Sequence, residues 1–197
     1  MSVFRLGLTG SIGMGKSTTA GFFAEAGIPV WNADEAVHRL YAPGGAAVEP
    51  LARLHPAAQS VGGIDRAVLK TWIAADPAAL AAIERIVHPL VAADRLRFLA
   101  TVRADIALLD IPLLYEIGAE RDLDAVLVVT APPELQRARV LARPGMTPDL
   151  FASLLAKQLP DAEKRARATH VIETLSLGSV SACVSALIDY IRKTHHA

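Results

Sequence analysis

The run Gly10-Ser11-Ile12-Gly13-Met14-Gly15-Lys16-Ser17 constrains this chain more than any other part of it. It has the form G-x-x-x-x-G-K-[ST], which carries meaning only between a buried strand and a helix. Both flanks fit. Phe4-Arg5-Leu6-Gly7-Leu8 reads as a short buried strand, and from Ser17 to Ala26 the residues Phe22, Phe23 and Ala26 recur at helical spacing. Glycines let such a loop wrap with its N–H groups pointing inward, and the N-terminus of the next helix adds a field that favours anions. The stretch Ser11, Ile12, Gly13, Met14, Gly15, Lys16, Ser17 and Thr18 is therefore expected to cradle nucleotide phosphates. Lys16 is expected to reach the β- and γ-phosphates of ATP, Ser17 to ligate Mg²⁺, and Thr18 to donate to a phosphate oxygen. The alternative, a glycine-rich turn with an incidental lysine, requires all the fixed positions to coincide with strand and helix by chance.

The rest of the chain extends this strand–loop–helix start. Gly27 closes the first helix, and Ile28-Pro29-Val30-Trp31 is a second strand candidate, with the proline tolerated near a strand start or edge. From about 34 to 104 the sequence is rich in helix signals and alanine, with turns at Pro43-Gly44-Gly45, Gly62-Gly63 and Asp76-Pro77 and no clear strand. That is too much for an ordinary crossover, so a helical insertion is expected, with an acceptor-binding subdomain at about 62–104. Ile106 to Asp110 and Ala125 to Val129 are continuous apolar runs of strand length, as in parallel strands covered on both faces, and His170-Val171-Ile172 is a last candidate. Helices are expected at Glu134 to Ala142, Pro148 to Gln158 and Val180 to Arg192. The predicted fold class is α/β, a doubly wound parallel sheet of the P-loop kinase type in a single domain spanning 1–197, with a helical insertion and a helical lid at about 139–160.

Charge and cysteine usage narrow the partners. Among 197 residues, 20 Lys and Arg balance 20 Asp and Glu, which gives no support to a nucleic-acid or membrane-surface binder. Cys183 stands alone and no Cys/His cluster has zinc spacing, so a reducing, cytoplasmic setting is expected. The N-terminal stretch lacks the charged start and long apolar centre of a secretory signal, and no apolar run approaches the ~20 residues that span a bilayer. His195 and His196 form a pair that a loosely held terminus usually leaves solvated.

Two further features bear on chemistry. Asp34 follows the second strand candidate, and in a parallel α/β sheet the strand ends open on one crevice. It can orient an acceptor hydroxyl and take its proton, or it can cap the helix that starts at Glu35, and spacing does not choose between these. Arg139 and Arg143 stand four apart on one predicted helix face, with Arg137 pointing elsewhere. They form either a solvated basic face or a lid that grips phosphates, and the loop upstream favours the lid. The chain has no D-x-x-G and no N-K-x-D, which argues against a guanine-reading switch. The apolar run ending at Asp110 continues as Ile111-Pro112, where a hydrolytic motor would place a glutamate. Transfer to an acceptor is favoured over hydrolysis.

Together these elements resemble the dephospho-CoA kinase family over most of the chain. Leu8 to Thr18 is similar to the family's phosphate loop, and Asn32-Ala33-Asp34 to its D-A-D element, whose second aspartate is catalytic. His88-Pro89 at a helix junction, Asp110-Ile111-Pro112-Leu113-Leu114-Tyr115-Glu116, and Arg139, Arg143 and Gln158 around the lid complete the resemblance. It implies phosphorylation of the ribose 3′-hydroxyl of dephospho-CoA by ATP with Mg²⁺. The implied catalytic set is Asp34, Lys16, Arg139 and Arg143, and the implied substrate set is Asp34, His88, Pro112, Leu113, Leu114 and Glu116. Read without the resemblance, His88 is equally a cap or packing residue, and Pro112 to Leu114 are core. Asn32, Pro144 and Thr174 depart from the family's usual aspartate, acidic residue and asparagine. Another small-molecule kinase of this architecture and a non-catalytic ATP sensor are the rival readings, separated by acceptor-dependent ADP formation.

Overall fold

A computed structural model describes residues 3–195. They form two compact units, one made of the chain up to Trp31 and from Val102 onward, the other of Asn32–Thr101.

The first unit begins with β1 (Phe4–Thr9), the phosphate loop, α1 (Lys16–Glu25) and β2 (Val30–Asn32), whose last residue already belongs to the second unit. The second unit then runs through α2 (Ala33–Tyr41), α3 (Val48–Leu54), β3 (Gln59–Ser60), β4 (Gly63–Ile64), α4 (Arg66–Ala75) and α5 (Ala79–Thr101). The chain returns to the first unit with β5 (Ile106–Asp110), β6 (Ala125–Thr130), α6 (Pro133–Leu141), α7 (Pro148–Leu155), α8 (Asp161–Arg167), β7 (His170–Glu173) and α9 (Leu177–His195).

The five long-range strands form one sheet in the order β2-β5-β1-β6-β7. β1 pairs in parallel with β5 and β6, and β6 with β7. β1 thus lies at the centre, and the register sets Leu8 beside both Asp110 and Leu127, so the loop after β1 emerges next to the end of β5. Every residue of β5 and β6 is buried, as expected of strands covered on both faces. Leu6, Leu8, Leu108 and Leu127 pack with Phe23 of α1 and with Val184 and Ile191 of α9 into the core of this unit. The doubly wound α/β class read from the sequence is the observed one.

The second unit packs Leu40, Leu51, Ile64, Leu69, Ile83 and Val87 into a core of its own. It differs from expectation in three ways. Its bounds are close to those of the helical insertion expected at about 34–104, but it is one compact unit from Asn32 onward, with no division near residue 62. It contains the antiparallel hairpin β3–β4, where the sequence indicated no strand. Strands of two residues carry no alternation to detect, and only the turn at Gly62-Gly63 was visible, where Gly63 takes φ of 98°. Pro89 lies inside α5 rather than at a junction. A proline there removes the bond to the Arg85 carbonyl, but Ile83 and Val87 before it and Leu90 and Val91 after it pack on the same core and hold the helix on both sides of the break.

In the first unit, α8 had no apolar periodicity to announce it, since its sequence is DAEKRAR. Its acidic start and basic end, matched to the helix dipole, were the signal available. At the far end, His195 is exposed and touches Phe4 edge-on, with ring centroids 4.9 Å apart, and His196 lies outside the described residues. No helix among the described residues is long and apolar enough to cross a membrane.

Candidate phosphate-transfer site

The loop between β1 and α1 is shaped by two glycines in the left-handed region, Gly13 at φ 79° and Gly15 at φ 86°. Met14 N–H donates to the Ser11 carbonyl at 3.1 Å, closing the turn, while the Met14 side chain goes into the core. Gly15 is the N-cap of α1 and no side chain caps that end. The helix therefore presents backbone N–H groups and the positive end of its dipole without a protein anion to use them. Ser17 and Thr18 are exposed on the first turn, and Ser11 is buried with no partner for its hydroxyl.

Lys16 reaches across to the end of β5, where its Nζ lies 2.5 Å from Asp110 Oδ1. Asp110 is only 1% exposed, so the ammonium is its compensation in a place where an uncompensated carboxylate would be costly. The β1–β5 register explains the pairing, because Asp110 lies beside Leu8, one residue before the end of β1 and two before the loop begins. Thr9 Oγ1 donates to the Pro112 carbonyl at 3.0 Å and ties the chain after β5 to the same strand end.

Arg139 and Arg143 both line a cavity of about 420 Å³ that also includes Gly13, Gly15, Thr18 and Thr174. The structure thus brings the two arginines together with the loop, although Arg143 stands just past the end of α6. Arg139 donates from Nη1 to Thr174 Oγ1 at 2.8 Å and from Nη2 to the Thr174 carbonyl at 2.6 Å. Thr174 is 3% exposed, and its hydroxyl is within bonding distance of the Met14 and Thr130 carbonyls. This one residue, at a position where an asparagine was expected, links the arginine to the loop floor. Its role was not legible from spacing, because it depends on β7 lying beside β6.

Gln158 and Gln136 meet at Ile12. Ile12 N–H donates to Gln158 Oε1 at 3.0 Å, and the Ile12 carbonyl accepts from Gln136 Nε2 at 2.8 Å. Gln136 was missed by sequence reasoning, and a lone polar residue on the buried side of α6 was the only sign of it.

The segment Pro112 to Glu116 is less uniform than the substrate set implied by resemblance. Leu114 is fully buried with its side chain near Gly7, so in this structure that side chain serves the core. Leu113 is exposed. Glu116 accepts from Leu159 N–H at 3.0 Å and forms an ion pair of 2.8 Å with Lys164, which is 0% exposed. Burial pushes the Glu116 carboxyl up, but the Lys164 bond and the Leu159 N–H outweigh it and hold it below its ordinary value. Arg167 lies over the Tyr115 ring, 4.4 Å from its centroid, and pairs with Glu120.

In the second unit, Asp34 is exposed in the first turn of α2, directly after β2. The cap of that helix is Asn32, whose side chain accepts from Glu35 N–H at 3.0 Å. The capping role left open for Asp34 thus belongs to Asn32, at the position where the family usually has an aspartate. His88 is exposed in mid-helix, neither a cap nor a core residue.

Comparison with known proteins bears on the same residues. The family model described as dephospho-CoA kinase matches residues 4–177. A protein of Cereibacter sphaeroides named dephospho-CoA kinase is 66% identical over 197 residues, covering 100% of both chains. The crystal structure of TT1252 from Thermus thermophilus superposes with a TM-score of 0.85 at 36% identity, over 97% of this chain and 99% of that one. A dephospho-CoA kinase from Campylobacter jejuni has the same fold, with a TM-score of 0.72 at 24% identity over 97% and 98% of the two chains.

Proposed function

Because the chain belongs to the dephospho-CoA kinase family, we propose that it transfers the γ-phosphoryl group of ATP to the ribose 3′-hydroxyl of dephospho-CoA, giving coenzyme A and ADP. The observation that carries the reading is the uncapped start of α1, set beside the Lys16–Asp110 pair and a cavity flanked by Arg139 and Arg143. Such an arrangement fits a polyphosphate, with N–H groups and a helix terminus for the β-phosphate and cations for the charge on the transferring group.

In this scheme Lys16 turns from Asp110 towards the β- and γ-phosphates, and Arg139 and Arg143 offset the charge of the transferring phosphoryl group. Asp34 aims the 3′-hydroxyl and takes its proton as the oxygen bonds to the γ-phosphorus, while the bond from that phosphorus to the bridging oxygen breaks and ADP leaves. The exposed Ser17 hydroxyl is a hard oxygen ligand of the kind Mg²⁺ takes alongside nucleotide phosphates and water. Bound there, the ion would neutralise charge on the nucleotide phosphates. His88, Pro112, Leu113 and Glu116 remain candidates for acceptor contact, Glu116 with one oxygen already committed to Lys164 and Leu159. A cytoplasmic setting, with dephospho-CoA as a small-molecule partner, goes with this reading.

The test is ADP formation from Mg·ATP with and without dephospho-CoA, with the product identified by mass. Dephospho-CoA-dependent ADP together with coenzyme A is the expected result, lost in Asp34→Asn. ATP binding with no acceptor-dependent ADP removes the acceptor assignment.

A further inference from the structure

The two peptide groups that flank the Ile12 Cα are held by side chains from the α6–α7 segment and the residue run after it. Gln136 is buried on α6 and Gln158 follows α7, and they bond the carbonyl and the N–H of Ile12 at 2.8 and 3.0 Å. The polarity is fixed by the partners, because a backbone N–H requires an oxygen and a carbonyl requires a donor. Gln158 therefore acts as acceptor and Gln136 as donor. The next residue is fastened as well. A Cβ on Gly13 would lie 2.5 Å from Val140 Cγ2 and 3.1 Å from the Gln136 carbonyl, so α6 rests directly on the loop.

We propose that Gln136 and Gln158 are positioning residues that brace the phosphate loop, holding its N–H groups towards the phosphates before nucleotide arrives and tying loop shape to the segment that carries Arg139 and Arg143. The kinetic consequence rests on the phosphoryl-transfer reading; the bracing itself does not. A loop that must be ordered on binding loses affinity by the cost of that ordering, whereas a preformed loop does not. Removing one side chain also leaves a peptide group of the loop unpaired, and a bond of this kind corresponds to about tenfold in an equilibrium.

The test uses the full chain and two readouts, hydrogen exchange of the Ile12 amide in nucleotide-free protein followed by NMR, and Mg·ADP affinity by calorimetry. Gln158→Leu and Gln136→Leu are each expected to weaken Mg·ADP and to speed Ile12 exchange by about tenfold. The glutamate variants separate bracing from mere packing. Gln158→Glu keeps an acceptor and restores the slow Ile12 exchange, whereas Gln136→Glu sets a carboxylate against a carbonyl and leaves exchange as fast as in Gln136→Leu. A carboxylate near phosphates has its own effect on affinity, so rescue is read from exchange alone. Equal exchange in the two glutamate variants overturns the proposal, as does wild-type Mg·ADP affinity in both leucine variants. If a leucine variant fails to fold, the opposite behaviour of the glutamate pair decides. If the wild type binds Mg·ADP but does not phosphorylate dephospho-CoA, the acceptor reading falls, and these measurements still decide the brace.

Discussion

The surroundings of the phosphate loop and the core of the second unit are fixed by different kinds of contact. Around the phosphate loop, directional bonds join residues far apart in sequence: Lys16 to Asp110, Gln136 and Gln158 to Ile12, Arg139 to Thr174, Glu116 to Lys164. In the Asn32–Thr101 unit, shape carries more of the structure. Leu40, Leu51, Leu69, Ile83 and Val87 interlock, while Asn32, Asp65 and Asp76 bond the backbone at the starts of nearby helical turns. Directional bonds fix atoms to within tenths of an ångström, which suits groups that must meet a transferring phosphoryl. Packing fixes a surface and tolerates exchange of apolar side chains of like volume.

The sharpest way to break this contrast is to change one charged residue in each unit. Lys16→Met should lower turnover about 10²–10³-fold, the scale of losing one preorganised donor to a developing charge. It should also lower the melting temperature, because Asp110 loses its ammonium while 1% exposed. Asp34→Asn should lower turnover by about 10²–10⁴-fold, the scale of a lost general base, and lower the melting temperature only slightly, because Asp34 is exposed and caps nothing, so that only its charge at the start of α2 is lost. Steady-state kinetics and calorimetric melts on the two variants check this. A marked melting-temperature loss in Asp34→Asn would give that residue a structural role and blur the division.

A second change tests packing directly. Leu51 is fully buried at the centre of the second core, so Leu51→Ala should destabilise the chain by about 2–5 kcal/mol in denaturant titration, through lost transfer energy and the cavity left behind. Leu51→Met, which nearly conserves volume, should cost less than about 1.5 kcal/mol. Equal losses from both would mean that the position is governed by something other than shape.

Much of the first unit was legible in the sequence because its signals are local. The loop pattern, the apolar runs of β5 and β6 and the glycines each announce themselves within a few residues. The cross-links were not legible. Thr174 reaches Arg139 only because β7 lies against β6, and Gln136 reaches Ile12 only because α6 packs on Gly13. A window along the chain contains no such information. Asp34 shows the opposite case: spacing left it divided between a cap and a base, and the bond from Glu35 N–H to Asn32 removed the first option. The hairpin β3–β4 and the charged α8 were missed because neither has a periodic apolar face.

The smallest expected effect concerns acid, which attacks charged directional bonds and leaves apolar packing alone. Asp124 is held below the ordinary carboxylate range chiefly by its hydrogen bond to Arg5, and Asp105 likewise by Arg192. Glu116 is also lowered, despite burial, by Lys164 and Leu159. For each, the unfolded chain binds more protons at any pH between the lowered folded value and the ordinary one near 4, so stability rises with pH in that window. Their contribution is complete above the ordinary value and is lost as pH falls through the folded values. Melts between neutral and acid pH should therefore show a falling melting temperature below about pH 4. Asp124→Asn should flatten part of that fall, and only slightly, because the pair is 40% and 30% exposed and water and salt screen it. Glu116→Gln should flatten more, since its partner Lys164 is wholly buried and out of reach of salt. If high salt abolished the Glu116 contribution as readily as that of Asp124, the distinction between a bond built into the loop's surroundings and one laid on the surface would fail at that point.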